Sequence, residues 1–219
     1  MTLKFNNKFE IQPSNEGGGG GGGNAEYVYT EVTNNLASVT GTIAQSKYGK
    51  IGNFSSGNFA YLLQNFTSIG TKPWSFEFAF TTGADVTTNQ EAISMSTKGC
   101  SFVYINNSRI QWFLSSDGSN WDIVNGGQYL TGLEPYTDYL IKITYTGTKY
   151  IISQFVNGSW VDKSTVTSST PINQDENIFV GVNRRNNNNG YQPFLGSIDL
   201  TKCKLTIDGE VVWQGVTAV

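Results

Sequence analysis

The sequence predicts an all-β fold, a two-sheet antiparallel sandwich of the jelly-roll kind, preceded by a short N-terminal extension. Three observations carry that expectation. Apolar side chains recur at every second position through most of the chain, turn signals interrupt them about every 8–12 residues, and no stretch repeats apolar residues at the i, i+3, i+4 spacing of a helix. A closed barrel is the alternative the same pattern allows.

In chain order, residues 1–16 come first. "LKFNNKFEIQP" alternates weakly, with Leu3, Phe5, Phe9 and Ile11 apolar, and stops at Pro13. A segment this short does not fold alone. It reads as an assembly anchor that adds a strand or apolar side chains to a partner, or as an edge strand of its own domain. Residues 17–23 are seven consecutive glycines. Glycine loses the most conformational freedom on ordering, so this run is no core element. As free coil it spans roughly 15 Å root-mean-square. It reads either as a joint between an attachment segment and a domain over 24–219, or as an insertion in a surface loop, which closure entropy tolerates.

Within the domain, "PWSFEFAFTT" places Trp74, Phe76, Phe78 and Phe80 on one face and Ser75, Glu77, Ala79 and Thr81 on the other, a half-buried strand. "FVYINNSRIQWFL" reads as two strands around Asn106-Asn107, and "SSDGSNWDI" as a turn at Asp117-Gly118. Tyr139 to Thr146 and Lys149 to Asn157 are strands joined at Gly147. Asn157-Gly158 and Asp208-Gly209 suit type I′ hairpins, which need positive φ at both central residues.

Composition removes whole classes of function. The 14 Lys and Arg against 17 Asp and Glu leave no basic block, which argues against nucleic acid as a partner. No stretch approaches the roughly 20 apolar residues of a membrane span, and "MTLKFNNKFEIQPSNE" lacks the apolar centre of a signal peptide, so the expectation is a chain made in a host cytoplasm that stays soluble. The chain has no histidine, which excludes Ser-His-Asp and Cys-His nucleophiles and His-ligated zinc. Cys100 and Cys203, each inside a strand-like run, read as buried core thiols.

The stretches "PWSFEFAFTTGADVTTNQEAIS", "FVYINNSRIQWFLSSDGSNWDI" and, most specifically, "PFLGSIDLTKCKLTIDGEVVW" make the chain from about residue 44 to 219 resemble the laminin-G-like, concanavalin A-like jelly rolls of bacteriophage virion proteins, such as tail fibres and capsid surface proteins. That resemblance implies the sandwich fold, display on a virion in many copies, and other virion proteins as partners through residues 1–16. It carries no activity, because such sandwiches serve as lectins, hydrolases and spacers.

The resemblance also implies what a hydrolytic version needs: two or three carboxylates alternating on one strand. Glu77 has no carboxylate at 75 or 79, and Glu134 and Asp138 bracket a proline turn, so the chain is expected not to be an enzyme. Calcium is the cofactor the resemblance suggests. Asp117, Asp122, Asp175 and Glu176 are available, but their spacing matches no defined loop and assigns no ligand set. Asp199 reads as a turn residue that binds backbone amides.

A glycan site needs an aromatic face beside amides and carboxylates. Two loops hold those types: Asp117, Asn120, Trp121 and Asp122 in one, and Arg184, Arg185, Asn187, Asn188 and Tyr191 in the other. Asn, Asp and Gly also close turns for purely local reasons, which is the competing reading of both loops. The leading expectation is a non-enzymatic virion surface protein that binds host or environmental glycans. The alternatives are capsid or tail decoration without glycan binding, a glycan-degrading enzyme, and a host lectin.

Overall fold

The computed structural model describes residues 30–66, 71–95, 100–172, 176–182 and 192–219. The strands, numbered in chain order, form two large sheets. One has seven strands in the order β10 (Val124–Thr131), β9 (Arg109–Leu114), β8 (Ser101–Asn106), β7 (Gln90–Met95), β14 (Glu176–Val180), β5 (Phe59–Phe66) and β2 (Ser38–Thr40). The other has eight: β13 (Ser159–Thr167), β12 (Lys149–Val156), β11 (Asp138–Tyr145), β6 (Trp74–Thr81), β15 (Ser197–Ile207), β4 (Lys50–Gly52) and β3 (Ala44–Gln45), with β16 (Glu210–Gln214) folded back on β15. A ribbon of β1 (Val32–Asn34) and β17 (Val216–Ala218) joins the two ends of the described chain. The sheets are separate, so the architecture is the sandwich and not the barrel.

Alternation decides which side chains fill the space between the sheets. Trp74, Phe76, Phe78 and Phe80 of β6 point inward and are at most 6% exposed. Ile141, Ile143 and Tyr145 of β11 continue the layer, with Tyr145 stacked on Tyr150 of β12 at 4.5 Å. From the opposite sheet, Val103, Ile105, Ile110, Trp112 and Leu114 enter the same cluster. Rows of aromatic rings suit a pleated, half-buried surface, and each large ring removes far more apolar area from water than an aliphatic side chain would.

The turns follow residue chemistry with two adjustments. Asn157-Gly158 (φ 51° and 81°) and Asp208-Gly209 (φ 52° and 84°) take the expected left-handed pairs. The β8–β9 hairpin turns one residue later than the sequence suggests, at Asn107-Ser108 (φ 49° and 55°). The Asp117-Gly118 signal opens no tight hairpin, since β9 ends at Leu114 and β10 begins at Val124, leaving a longer loop between them. Asp199 does bind a backbone amide: its Oδ1 accepts from Thr201 N at 3.1 Å, where β15 bulges away from β6.

Cys100 and Cys203 are buried thiols that form no disulfide. Burial pushes the Cys203 thiol up to about 12, and only a thiolate reacts readily. The folded chain is therefore expected to release no colour from a disulfide thiol reagent at pH 8, and to titrate both thiols once denatured. Rapid reaction of either thiol in the native state would contradict this packing.

Candidate functional site

Residues that alternate away from the core form the outer face of the seven-stranded sheet, and strand register sorts them into rows. Gln128, Gln111, Tyr104 and Glu91 lie in one row across β10, β9, β8 and β7. The next row holds Asn125, Phe113, Ser101 and Ser94, and continues over Phe179 and Tyr61. A third row carries Thr131, Arg109 and Asn106.

The two halves of this face differ in access. Around β7 it is covered: Ser94 Oγ donates to Val182 O at 3.1 Å, Glu91 N donates to Gln192 O at 2.9 Å, and Phe59, Phe179 and Val182 pack there as a second small apolar cluster. Over β8, β9 and β10 solvent reaches the rows. Tyr104, Gln111 and Phe113 are half-buried, while Asn125 and Gln128 are exposed.

Three aromatic rings line this open half. Trp121 packs on Phe113 at 4.7 Å between centroids, and Phe113 meets Tyr104 edge-on at 5.7 Å. Trp121 comes from the 115–123 loop, whose shape the two acidic residues hold. Asp117 accepts from Ser119 N at 2.8 Å and Ser119 Oγ at 2.6 Å, and those bonds hold its carboxyl below the usual range. At Asp122, burial works against the charge, but the Ser116 hydroxyl and amide together outweigh it, and its carboxyl also stays low. Asn120 Nδ2 donates to Ser119 Oγ at 3.4 Å. Both carboxylates thus keep the loop in place, and among the described residues of the predicted set Trp121 packs on the sheet face.

The structure adds Tyr104, Gln111, Phe113 and Gln128, which the reading of loops passed over. The signal was present in "FVYINNSRIQWFL": once Ile110, Trp112 and Leu114 are assigned to the core, Gln111 and Phe113 must point out. Arg184, Arg185, Asn187, Asn188 and Tyr191, and the anchor positions Leu3, Phe5, Phe9 and Ile11, lie outside the described residues, as does Asp175.

The face offers apolar contact and hydrogen bonding. Tilted rings offer apolar surface to the C–H faces of sugars, and amides both donate to and accept from paired hydroxyls. Glu91 is the one carboxylate in β7 to β10; it is fully buried, and Ser101 Oγ donates to it at 2.7 and 2.8 Å. Retaining glycoside hydrolysis needs a second carboxyl about 5–5.5 Å away. Glu77 lies on the other sheet, bridged to Lys204 at 3.4 Å. Asp138 accepts from Thr81 Oγ1 at the far end of β6. Among the described residues no group of three His, Cys, Asp or Glu side chains is placed to hold a metal ion.

No protein-family model and no curated protein matches the chain. Solved structures do. The LG1-3 region of the laminin alpha2 chain superposes with a TM-score of 0.51 at 14% identity, covering 78% of this chain and 34% of that one. Tailspike protein 2 of an Escherichia coli O157:H7 bacteriophage gives 0.53 at 14% identity, over 83% of this chain and 26% of the tailspike. Botulinum neurotoxin type C, whose cell entry depends on two ganglioside molecules, gives 0.53 at 13% identity, over 83% of this chain and 43% of the toxin. The chain spans less than half the length of each of these three. At such identities the likeness establishes the fold: an antiparallel jelly-roll sandwich shared with laminin G and related lectin domains.

Proposed function

We propose that this chain is a non-enzymatic glycan-binding module and that the open half of the seven-stranded sheet, β8 to β10 with Trp121, is its binding face. The observation that carries this reading is the juxtaposition of an aromatic row, Trp121–Phe113–Tyr104, with an amide row, Gln111 and Gln128, on one accessible surface. That Glu91, buried, is the one carboxylate of β7 to β10 supports binding over hydrolysis. Display on a bacteriophage particle is part of the same reading. It is supported by the resemblance of the sequence to virion jelly rolls, by a phage tailspike among proteins of this fold, and by an N-terminal extension joined through glycines. The described chain enters and leaves at the β1–β17 ribbon, which is tied to β15 of the other sheet by Gly215 N donating to Cys203 O at 2.8 Å.

Single sites of this kind bind weakly, and many copies raise apparent affinity by roughly 10²–10⁴. The test is therefore multivalent: the chain coupled to beads and screened on an array of bacterial surface polysaccharides and animal glycans, followed by calorimetry with the best binder. Tyr104→Ala and Gln111→Ala are each expected to weaken binding about tenfold, which is about 1.4 kcal/mol, with melting temperatures close to wild type. Wild-type binding by both variants assigns the face a structural role. Reducing ends released from a bound polysaccharide would establish an enzyme.

A further inference from the structure

The outer face of the eight-stranded sheet, on the opposite side of the sandwich, carries a charge pattern that the proposed glycan site does not use. Strand pairing lines up Asp162, Ser153, Lys142, Glu77, Lys204 and Gln214 in one row across β13, β12, β11, β6, β15 and β16. The row reads negative, neutral, positive, negative, positive, neutral. On one side runs a row of small and β-branched residues, Thr165, Ile151, Thr144, Ser75, Thr206 and Val211. On the other side Trp160 pairs with Phe155, and Leu140 with Ala79. Solvent reaches the face in part: Phe155 is 41% and Val211 49% exposed, and the Lys204 side chain is 42% exposed, whereas the Glu77 side chain is 19% exposed and bridged to Lys204 at 3.4 Å, and Ser153 and Ala79 are buried.

We infer that this face is an isologous docking surface for a second copy of the chain. The order of charges selects one symmetry. A two-fold axis lying in the interface, parallel to the strands and between β11 and β6, sets each Lys142 over the Glu77 of the other copy, Lys204 over Ser153, and Thr144 over Ser75. The other in-plane two-fold, across the strands, sets Lys142 on Lys142 and Glu77 on Glu77, which repel. Only the first sets opposite charges over each other at the centre, two Lys142–Glu77 pairs related by the axis, while the outer charges face neutral side chains; such self-matching at the centre is what a two-fold interface requires. The row carries no net charge, so docking concentrates none of the chain's net −3 at the interface. Lys142 Nζ is held 4.2 Å from the Trp160 ring centroid, which keeps its charge at the centre of the face.

Size sets the strength. Six strands about 4.8 Å apart and three rows about 7 Å apart give roughly 500 Å² per copy, near the lower limit for a specific interface. The dimer is therefore weak in solution and gains weight where copies are crowded. In it the two seven-stranded faces point in opposite directions.

Analytical ultracentrifugation of the full chain from about 5 to 500 µM, a range that covers weak specific association, should show a concentration-dependent monomer–dimer equilibrium. Lys142→Glu and Glu77→Lys should each weaken it at least tenfold, and the double variant should restore part of it, because the facing pairs exchange signs while position 77 loses its bridge to Lys204 within the chain. A measurement on the unaltered chain guards against misfolded variants: carbodiimide coupling of a light and heavy isotope mixture should yield mixed-isotope Lys142–Glu77 peptides. A monomer throughout the range, single variants that dimerise as wild type, a folded double variant that stays monomeric, or purely same-isotope cross-links would each overturn the proposal. None of these outcomes bears on the glycan face, whose variants lie on the other sheet.

Discussion

Gly181→Ala is expected to lower the melting temperature by about 4–20 °C, the shift that about 2–5 kcal/mol produces in a domain of this size. Gly181 follows β14 with φ of 90°, a conformation that L side chains rarely adopt, and it is pinned from both sides: its N–H donates to Ala92 O and its carbonyl accepts from Phe194 N, each at 2.9 Å. The backbone cannot rotate to relieve the strain without losing one of these bonds. A Cβ at this position would lie 2.1 Å from Phe54 Cδ1 and 2.3 Å from its Cγ. Phe54 is 7% exposed and stacks on Phe194 at 6.3 Å, so its ring has nowhere to retreat without opening the core. Strain at positive φ costs about 1–2 kcal/mol, and overpacking a filled core adds about 1–3 kcal/mol. Gly158→Ala separates the two causes. Gly158 has φ of 81° and nothing within 4 Å of its missing Cβ, so that variant should lose only the strain. Equal loss in both variants, read by thermal unfolding under the same conditions, would falsify the clash with Phe54.

That glycine also marks where sequence reasoning stops. "FVGVN" reads as a strand and its continuation, and nothing in it announces that a phenylalanine more than a hundred residues earlier occupies the space beside the glycine. Local features were legible. The burial of Trp74, Phe76, Phe78 and Phe80, the strands of "DYLIKITY" and "KYIISQFV", and the I′ turns at Asn157 and Asp208 follow from period two and from residues that tolerate positive φ. The break between Leu114 and Val124 was not legible, because Asp117-Gly118 has the composition of a tight turn while Asp122 and Asp117 hold a wider one through Ser116 and Ser119.

The site was half legible for a related reason. Trp121 stood out in its loop, but the rest of the face lies on strands whose outward residues look ordinary in one dimension. Register brings them together: Gln111 opposite Gln128 and Tyr104, and Phe113 opposite Asn125 and Ser101. Bulges within the β10–β9, β8–β9 and β7–β8 pairings shift that register, so counting by twos along any one strand does not recover the rows.

Within β9, stability and binding should separate at adjacent residues. Trp112 points inward, is fully buried, and meets Tyr129 edge-on at 6.4 Å. Phe113, one peptide further, points outward against Trp121 and Tyr104. Trp112→Ala leaves a cavity among residues such as Leu114 and Val124 that are themselves fixed by two sheets, so it should cost about 3–5 kcal/mol. The corresponding fall is about 6–20 °C in melting temperature. Phe113→Ala removes a half-buried ring of the outer face, and its thermal shift should be a small fraction of that. For glycan binding the order reverses. Phe113 supports the Trp121 ring and supplies apolar surface itself, so its loss should weaken binding to the best glycan by more than tenfold. Trp112→Ala, assayed well below its lowered melting point, should keep most of its affinity, because β9 still presents Gln111 and Phe113 through its backbone pairing with β8 and β10. Paired thermal unfolding and calorimetry on the two variants read both quantities. If Phe113→Ala binds normally while Trp112→Ala does not, the ligand lies elsewhere and depends on the core, and the outer face of β8 to β10 loses its assignment.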